Sequence, residues 1–225
     1  IMVLLVAACE TMQLPELPFN INQTIDELHD NLQGKPLFVG DPVFIRIIKD
    51  ENILELWMRP DNHHRYILAK SYPICKWSGY LGQKLREGDF QSPEGFYSTR
   101  KKWLNPGSRY HVAFNIQFPN SYDRVHGYTG SFIMIHGGCV SEGCYAMTDS
   151  QMEEIYALVQ RSLSEGQDEV PVHVFPFRMT PERMNLEKNN RWYDFWKNIK
   201  EGYDYFEQHG IPPRYIVVNK QYAFY

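Results

Sequence analysis

Within residues 131–149, SFIMIHGGCVSEGCYAMTD, a histidine and a cysteine stand at glycine-rich turns: His136 ahead of Gly137-Gly138, and Cys144 behind Ser141-Glu142-Gly143. A cysteine attacks as its thiolate, and a neighbouring imidazole can take the proton or hold it in an ion pair. Cys144 is therefore the candidate nucleophile and His136 the candidate base. Gly137, Gly138 and Gly143 clear side chains from around the sulfur, so that backbone N–H groups such as those of Gly143 and Cys144 can face a developing oxyanion. His126, in a polar loop, is a rival base. His136 is preferred because the apolar run 132–135 sets its position. A papain-like order, cysteine before histidine, would need His173 instead. Zinc binding by His136, Cys139 and Cys144 would use a spacing that matches no common zinc pattern, so no metal is expected.

The stretch resembles the L,D-transpeptidase (YkuD) family, whose signature is a strand ending in His-Gly followed by a Ser-x-Gly-Cys loop. Here these are Ile135-His136-Gly137 and Ser141-Glu142-Gly143-Cys144. It is most similar to the YafK-like branch, through Cys139 in HGGCV, the run GCYAMTD with Tyr145, and Ser92-Pro93-Glu94-Gly95-Phe96-Tyr97 upstream. The resemblance runs from about residue 36 to the last residue. It implies a β-rich α+β sandwich with packed helices and cysteine-dependent acyl transfer on peptidoglycan stem peptides through a thioester. Three features depart from the broader family: a shorter interval from His136 to Cys144, Glu142 two residues before the cysteine, and Ala146 where many members carry Arg. These bear on substrate preference, and the shorter interval and Ala146 lean toward hydrolytic release of a wall-linked lipoprotein from diaminopimelate. A non-catalytic wall-binding lipoprotein is the remaining reading. The resemblance also puts residues 78–95, with Lys84 and Glu94, on the substrate-side walls. Tyr97, Arg124, His126, Cys139, Ser141 and Tyr145 complete the candidate substrate-binding set.

Bulk properties narrow the partners. The 225 residues suit one substantial domain. A formal net charge of -4, with no clustered Lys and Arg, argues against nucleic acid. No phosphate loop or dinucleotide fingerprint is visible, so no cofactor is expected. The apolar run 1–9, IMVLLVAAC, is too short to span a bilayer and ends in the pattern of a bacterial lipoprotein cleavage site. A lipidated Cys9 would anchor the chain to a membrane in the periplasm of a bacterial envelope. Cys75 and Cys139 are left as free thiols or a bridge.

The elements that must hold the pair follow from periodicity. A signal remnant and tether covers 1–20, a catalytic domain 21–179, and a C-terminal α/β elaboration of that domain 180–225. The spacing of Ile25, Leu28 and Leu32 predicts a helix over 24–33 behind a Thr24 cap. Alternating apolar runs predict strands at 43–48 and 53–58, forming a hairpin around a Lys49-Asp50-Glu51-Asn52 turn, with a third strand at 65–71. Residues 75–97 read as a long irregular loop and 110–116 as a strand. The loop 117–130 is a candidate cover for the substrate. A helix capped by Thr148 or Asp149, a strand at 170–175, a helix over 190–209 and a strand at 215–218 complete the reading.

Overall fold

The computed structural model describes residues 16–61 and 63–225, so Cys9 lies outside the described residues. The first helix, α1 (Ile21–Asn31), starts before the predicted position. Asn20 caps it by accepting from the N–H groups of Asn22 and Gln23, while the Thr24 hydroxyl donates back to the Asn20 carbonyl. An Asn side chain reaching the first orphan donors ends the search for a cap before Thr24 is reached.

Strands β1 (Val43–Ile48), β2 (Ile53–Met58) and β3 (Ile67–Pro73) form the expected antiparallel meander, followed by β4 (Gly95–Thr99). After the short β5 (Leu104–Asn105) come β6 (Ala113–Asn115), helix α2 (Ser121–Val125), β7 (Met134–His136) and β8 (Tyr145–Ala146). Helix α3 (Asp149–Ser164) leads to β9 (Val170–Phe175), then α4 (Pro181–Leu186), α5 (Tyr193–His209) and the hairpin β10 (Tyr215–Val218) and β11 (Gln221–Phe224).

Five strands form the central sheet in the order β3-β2-β1-β9-β4, with β1 and β9 parallel. Every residue of β1 is buried, because both sheet faces are covered. Val43, Ile45, Ile47, Val172 and Val174 join the core shared with α1 and α3. On the other face, Ile48, Phe96 and Phe175 pack with Trp196, Ile199 and Tyr203 of α5 and Tyr222 of β11. A second sheet, β5-β6-β7-β8, carries the His136 and Cys144 stretch. Phe114 and Ile135 send it into the first core. The fold is thus a mixed α+β sandwich.

Several elements differ from the sequence expectation. The strand predicted at 110–116 pairs only over β6, because His111 turns the chain at a φ of 67°. The loop at 117–130 contains α2, closed by reciprocal bonds between Asn120 and Asp123. In the C-terminal elaboration, Thr180 and Pro181 start α4, an N-cap followed by proline at the first helical position. The β10–β11 turn uses Asn219 and Lys220 at φ of 50° and 62°, a left-handed pair without the glycine that usually announces it.

Candidate active site

Strand β7 is held between β6 and the parallel β8, in a register that sets Ile135 against Tyr145 and His136 against Ala146. Cys144, one residue before β8, therefore lies beside the β7 strand that His136 ends. The loop before it is tied from within. The Ser141 hydroxyl donates to the Cys144 carbonyl at 2.7 Å and accepts from the Gly143 N–H, while Ser92 reaches the same carbonyl. Gly143 has a φ of 129°, and an added Cβ would come within 3.4 Å of the Gln91 carbonyl oxygen, so glycine is required there. Behind the loop, a disulfide joins Cys75 to Cys139, settling the alternatives that the sequence left open. Cys75 N–H also donates to the Ala146 carbonyl of β8, so the bridge ties the segment after β3 and its partner β8 to the loop after His136.

His136 and Cys144 line one cavity of about 360 Å³, together with Tyr110, Phe132 and Met134. Among the described residues Cys144 is the free cysteine. His136 is 3% exposed, and its Nδ1 lies 2.5 Å from the Gly137 carbonyl. A carbonyl can only accept, so Nδ1 carries the proton and Nε2 is left as the basic nitrogen. The Tyr110 ring, 4.8 Å away between centroids, braces the imidazole. Burial lowers the His136 pKa, offset in part by the Gly137 bond. Burial likewise raises the Cys144 thiol, against the Met134 N–H and the Lys84 charge. The resting pair is therefore a neutral thiol and a neutral imidazole. Cys144 Sγ accepts from the Met134 N–H at 3.4 Å and donates to the Phe132 carbonyl at 3.7 Å. Among the described residues no hydrogen bond joins it to His136, and a free enzyme often tightens such contacts only with substrate bound.

The other candidate residues separate clearly. Gly137 N–H donates to the carbonyls of Tyr110 and Val112, Gly138 N–H to Asp149 and Gly143 N–H to the Ser141 hydroxyl, so none of the three is free to face an oxyanion; the Cys144 N–H remains. Glu94 is 1% exposed and pairs with Lys49 at 2.9 Å, accepting also from Gly82 N–H and Trp196 Nε1. It is an internal anchor, not a substrate contact. Tyr97 and Tyr145 are buried, donating to the carbonyls of Glu94 and Pro93. Lys84 is buried against Asp89 and the Arg86 carbonyl. Arg124 bonds the Pro119 carbonyl, and His126 stacks on Tyr122 outside the Cys144 cavity. Cys139 is consumed in the disulfide, and Ser141 ties the loop that carries Cys144.

The sequence reading missed two residues. Lys49, read only as part of the 49–52 turn, has no exposure and places its three donors on Tyr80, Ser92 and Glu94, fixing the loop beneath Cys144. Phe132, read as strand, is 69% exposed at the cavity with a φ of 54°. Among the described residues no group of three or more His, Cys, Asp or Glu could hold a metal ion.

Comparison with known proteins bears on this geometry. Residues 43–174 match the YkuD family model, described as the L,D-transpeptidase catalytic domain. Two proteins named "Putative L,D-transpeptidase YafK", from Escherichia coli K12 and O157:H7, are each 51% identical over 189 residues, 84% of this chain and 76% of theirs. Among solved structures, the helical cell shape determining protein Pgp2 of Campylobacter jejuni is 22% identical with a TM-score of 0.49, over 84% of this chain and 68% of that one.

Proposed function

The chain belongs to the YkuD family of L,D-transpeptidase catalytic domains, and from that premise we propose that it transfers acyl groups of peptidoglycan stem peptides through a thioester on Cys144. The family is one of cell-envelope enzymes acting on those peptides. The observation that carries the reading is the shared cavity, in which the free thiol meets an imidazole whose basic nitrogen is fixed by the Gly137 carbonyl.

The chemistry follows from the resting protonation. Substrate displaces the thiol from the Phe132 carbonyl, and His136 Nε2 takes the Sγ proton as sulfur attacks the carbonyl carbon. Negative charge moves to the carbonyl oxygen, facing the N–H of Cys144. Among the described residues no hydrogen bond engages the Cys144 N–H. The C–N bond then breaks, the imidazolium returns its proton to the leaving amine, and the acyl group stays on sulfur. An amine acceptor completes transpeptidation; water completes hydrolysis, including release of a wall-linked lipoprotein. Because burial lowers the His136 pKa, activity holds through neutral pH and falls only below about 6.5 as the base becomes protonated. The Cys75–Cys139 bridge suits an oxidising compartment such as the periplasm. Among the described residues no helix is long and apolar enough to cross a membrane.

The test is to incubate the protein with peptidoglycan fragments carrying a lipoprotein-derived peptide, with and without an added amine, and to read products and protein by mass spectrometry. An acyl adduct on Cys144, absent in Cys144→Ala along with all turnover, is the expected result. Turnover by a folded Cys144→Ala would overturn the mechanism. Exchanged products seen only with amine mark a transpeptidase, and loss of the peptide to water marks a hydrolase.

A further inference from the structure

The family match ends at residue 174, yet the chain continues through α4, α5 and the β10–β11 hairpin. That elaboration does more than cover the sheet. Its segment 211–215 forms one wall of a cavity of about 780 Å³, whose other walls are β4, β9 and the ends of β2 and β3. The cavity lies on the α5 side of the central sheet, whereas Cys144 and His136 belong to the second sheet, across the main core. It is a separate space, and its size suits a small ligand.

Its lining is chemically unfinished. His173 is 3% exposed, lines the cavity, and among the described residues makes no hydrogen bond, although Phe44 and Phe96 clamp its ring at 4.8 and 4.6 Å. Its ring nitrogens are not among the sealed, unpartnered polar atoms of the described residues, so they are accessible and free to bond a ligand as donor and acceptor. Arg59 and Arg214 also line the cavity and make no ion pair among the described residues. Arg59 has Asp41 and Asp61 beyond it, lining an adjoining cavity outside ion-pair distance. Arg100, in contrast, is committed to Glu169. Asp168 supplies one unpaired carboxylate on the same lining. Guanidinium forks match carboxylates in bidentate geometry, and an imidazole with both functions suits a backbone amide.

We infer that this cavity is a second ligand site, for a short zwitterionic peptide whose carboxylates sit on Arg59 and Arg214, whose amine faces Asp168 and whose backbone meets His173. The catalytic domain and its elaboration together make the site, which gives residues 180–225 a role beyond covering the sheet. The inference does not depend on thioester chemistry at Cys144.

The probe is the tripeptide Ala-Glu-Lys, titrated calorimetrically into the full chain whose Cys144 has been alkylated, with the same peptide amidated at both carboxyls as control. Saturable binding is expected, weakened at least about tenfold in Arg59→Gln and in Arg214→Gln and similarly by amidation. In the unsubstituted protein, NMR should show the His173 ring resonances shifting at the same peptide concentration. Circular dichroism checks that the variants fold, and the His173 shifts serve where they do not. No saturable binding up to roughly 10 mM overturns the inference. So does binding that survives both arginine substitutions, or that leaves the His173 resonances unmoved.

Discussion

His136 and His173 are each 3% exposed, and burial lowers the pKa of each, His173 to about 3. They differ in what their nitrogens meet. His136 has one nitrogen bound to a carbonyl and the other in a cavity with a free thiol. His173 sits among phenylalanines, opposite Arg46 across the β1–β9 pairing, with no nucleophile near it. Burial and a depressed pKa are therefore common to both and do not by themselves mark a candidate base. A fixed tautomer beside a free thiol does.

Replacement of each ring by one that cannot titrate sharpens the contrast most. His136→Gln should lower kcat by about 10²–10⁴-fold, the usual worth of a general base. His173→Phe should leave kcat within about twofold, and His126→Ala likewise. Equal losses from His136 and His173 would dissolve the distinction and return the papain-like order to consideration.

The catalytic side also depends on a covalent tie that the His173 side lacks. Cys75 and Cys139 are 64 residues apart, and closing such a loop restricts the unfolded chain by about 4 kcal/mol. Cys75→Ser with Cys139→Ser should lower the urea midpoint accordingly and slow acylation, since the loop after His136 loses its tether. A midpoint unchanged by both substitutions would show that the surrounding hydrogen bonds suffice.

What the sequence disclosed divides along the same line. The runs 43–48, 53–58 and 170–175 could be read as strands because their patterning is local, and the pairing of His136 with Cys144 because both lie on one short glycine-rich stretch. Lys49 and Glu94 could not. Each looks solvated in its own neighbourhood, and only the packing of a turn against a loop 45 residues away buries them as a pair. Tyr97 and Tyr145 stood in motifs shared with the family, which invited a substrate role. Strand alternation instead turns both side chains inward onto the 93–94 backbone. Helix α2 was missed because its cap uses Asp123 where Glu or Gln would be the usual signal.

Acid should separate the two histidines by stability as well as rate. In the unfolded chain His173 binds a proton below about pH 6.5, whereas in the folded protein it stays neutral to about 3. The unfolded state then holds more protons in that window, so stability rises with pH there and is lost as pH falls from 6.5 toward 3. Asp123 acts in the opposite sense. Burial raises its carboxyl to about 7, so the folded state holds more protons between 3.8 and 7, and stability falls as pH rises. The two slopes oppose each other between about pH 3.8 and 6.5. His173→Phe removes one slope, so its stability relative to the parent should improve by a few kcal/mol between pH 7 and 4. A difference independent of pH would mean that His173 is not held neutral.

The smallest effect tests how the catalytic cavity is shaped, not how its base is tuned. Phe132 pays a conformational cost, since a bulky residue at φ of 54° is strained by roughly 1–3 kcal/mol, and its ring stays largely exposed at the cavity. Neither feature serves the core. The strained backbone aims the Phe132 carbonyl at Cys144, where it accepts from the thiol, while the ring offers an apolar surface at the cavity. Phe132→Gly keeps the backbone conformation without strain and removes the ring, so KM should rise a few-fold while kcat changes little. The relief of strain and the greater freedom of glycine in the unfolded chain should nearly cancel in stability. Phe132→Ala loses the same ring but keeps the strain, and its carbonyl is freer to leave the thiol. It should therefore show the same KM with a lower melting temperature. A kcat loss in Phe132→Gly as large as that of His136→Gln would place Phe132 in the chemistry itself, and the catalytic cavity would then rest on more than the thiol and its base.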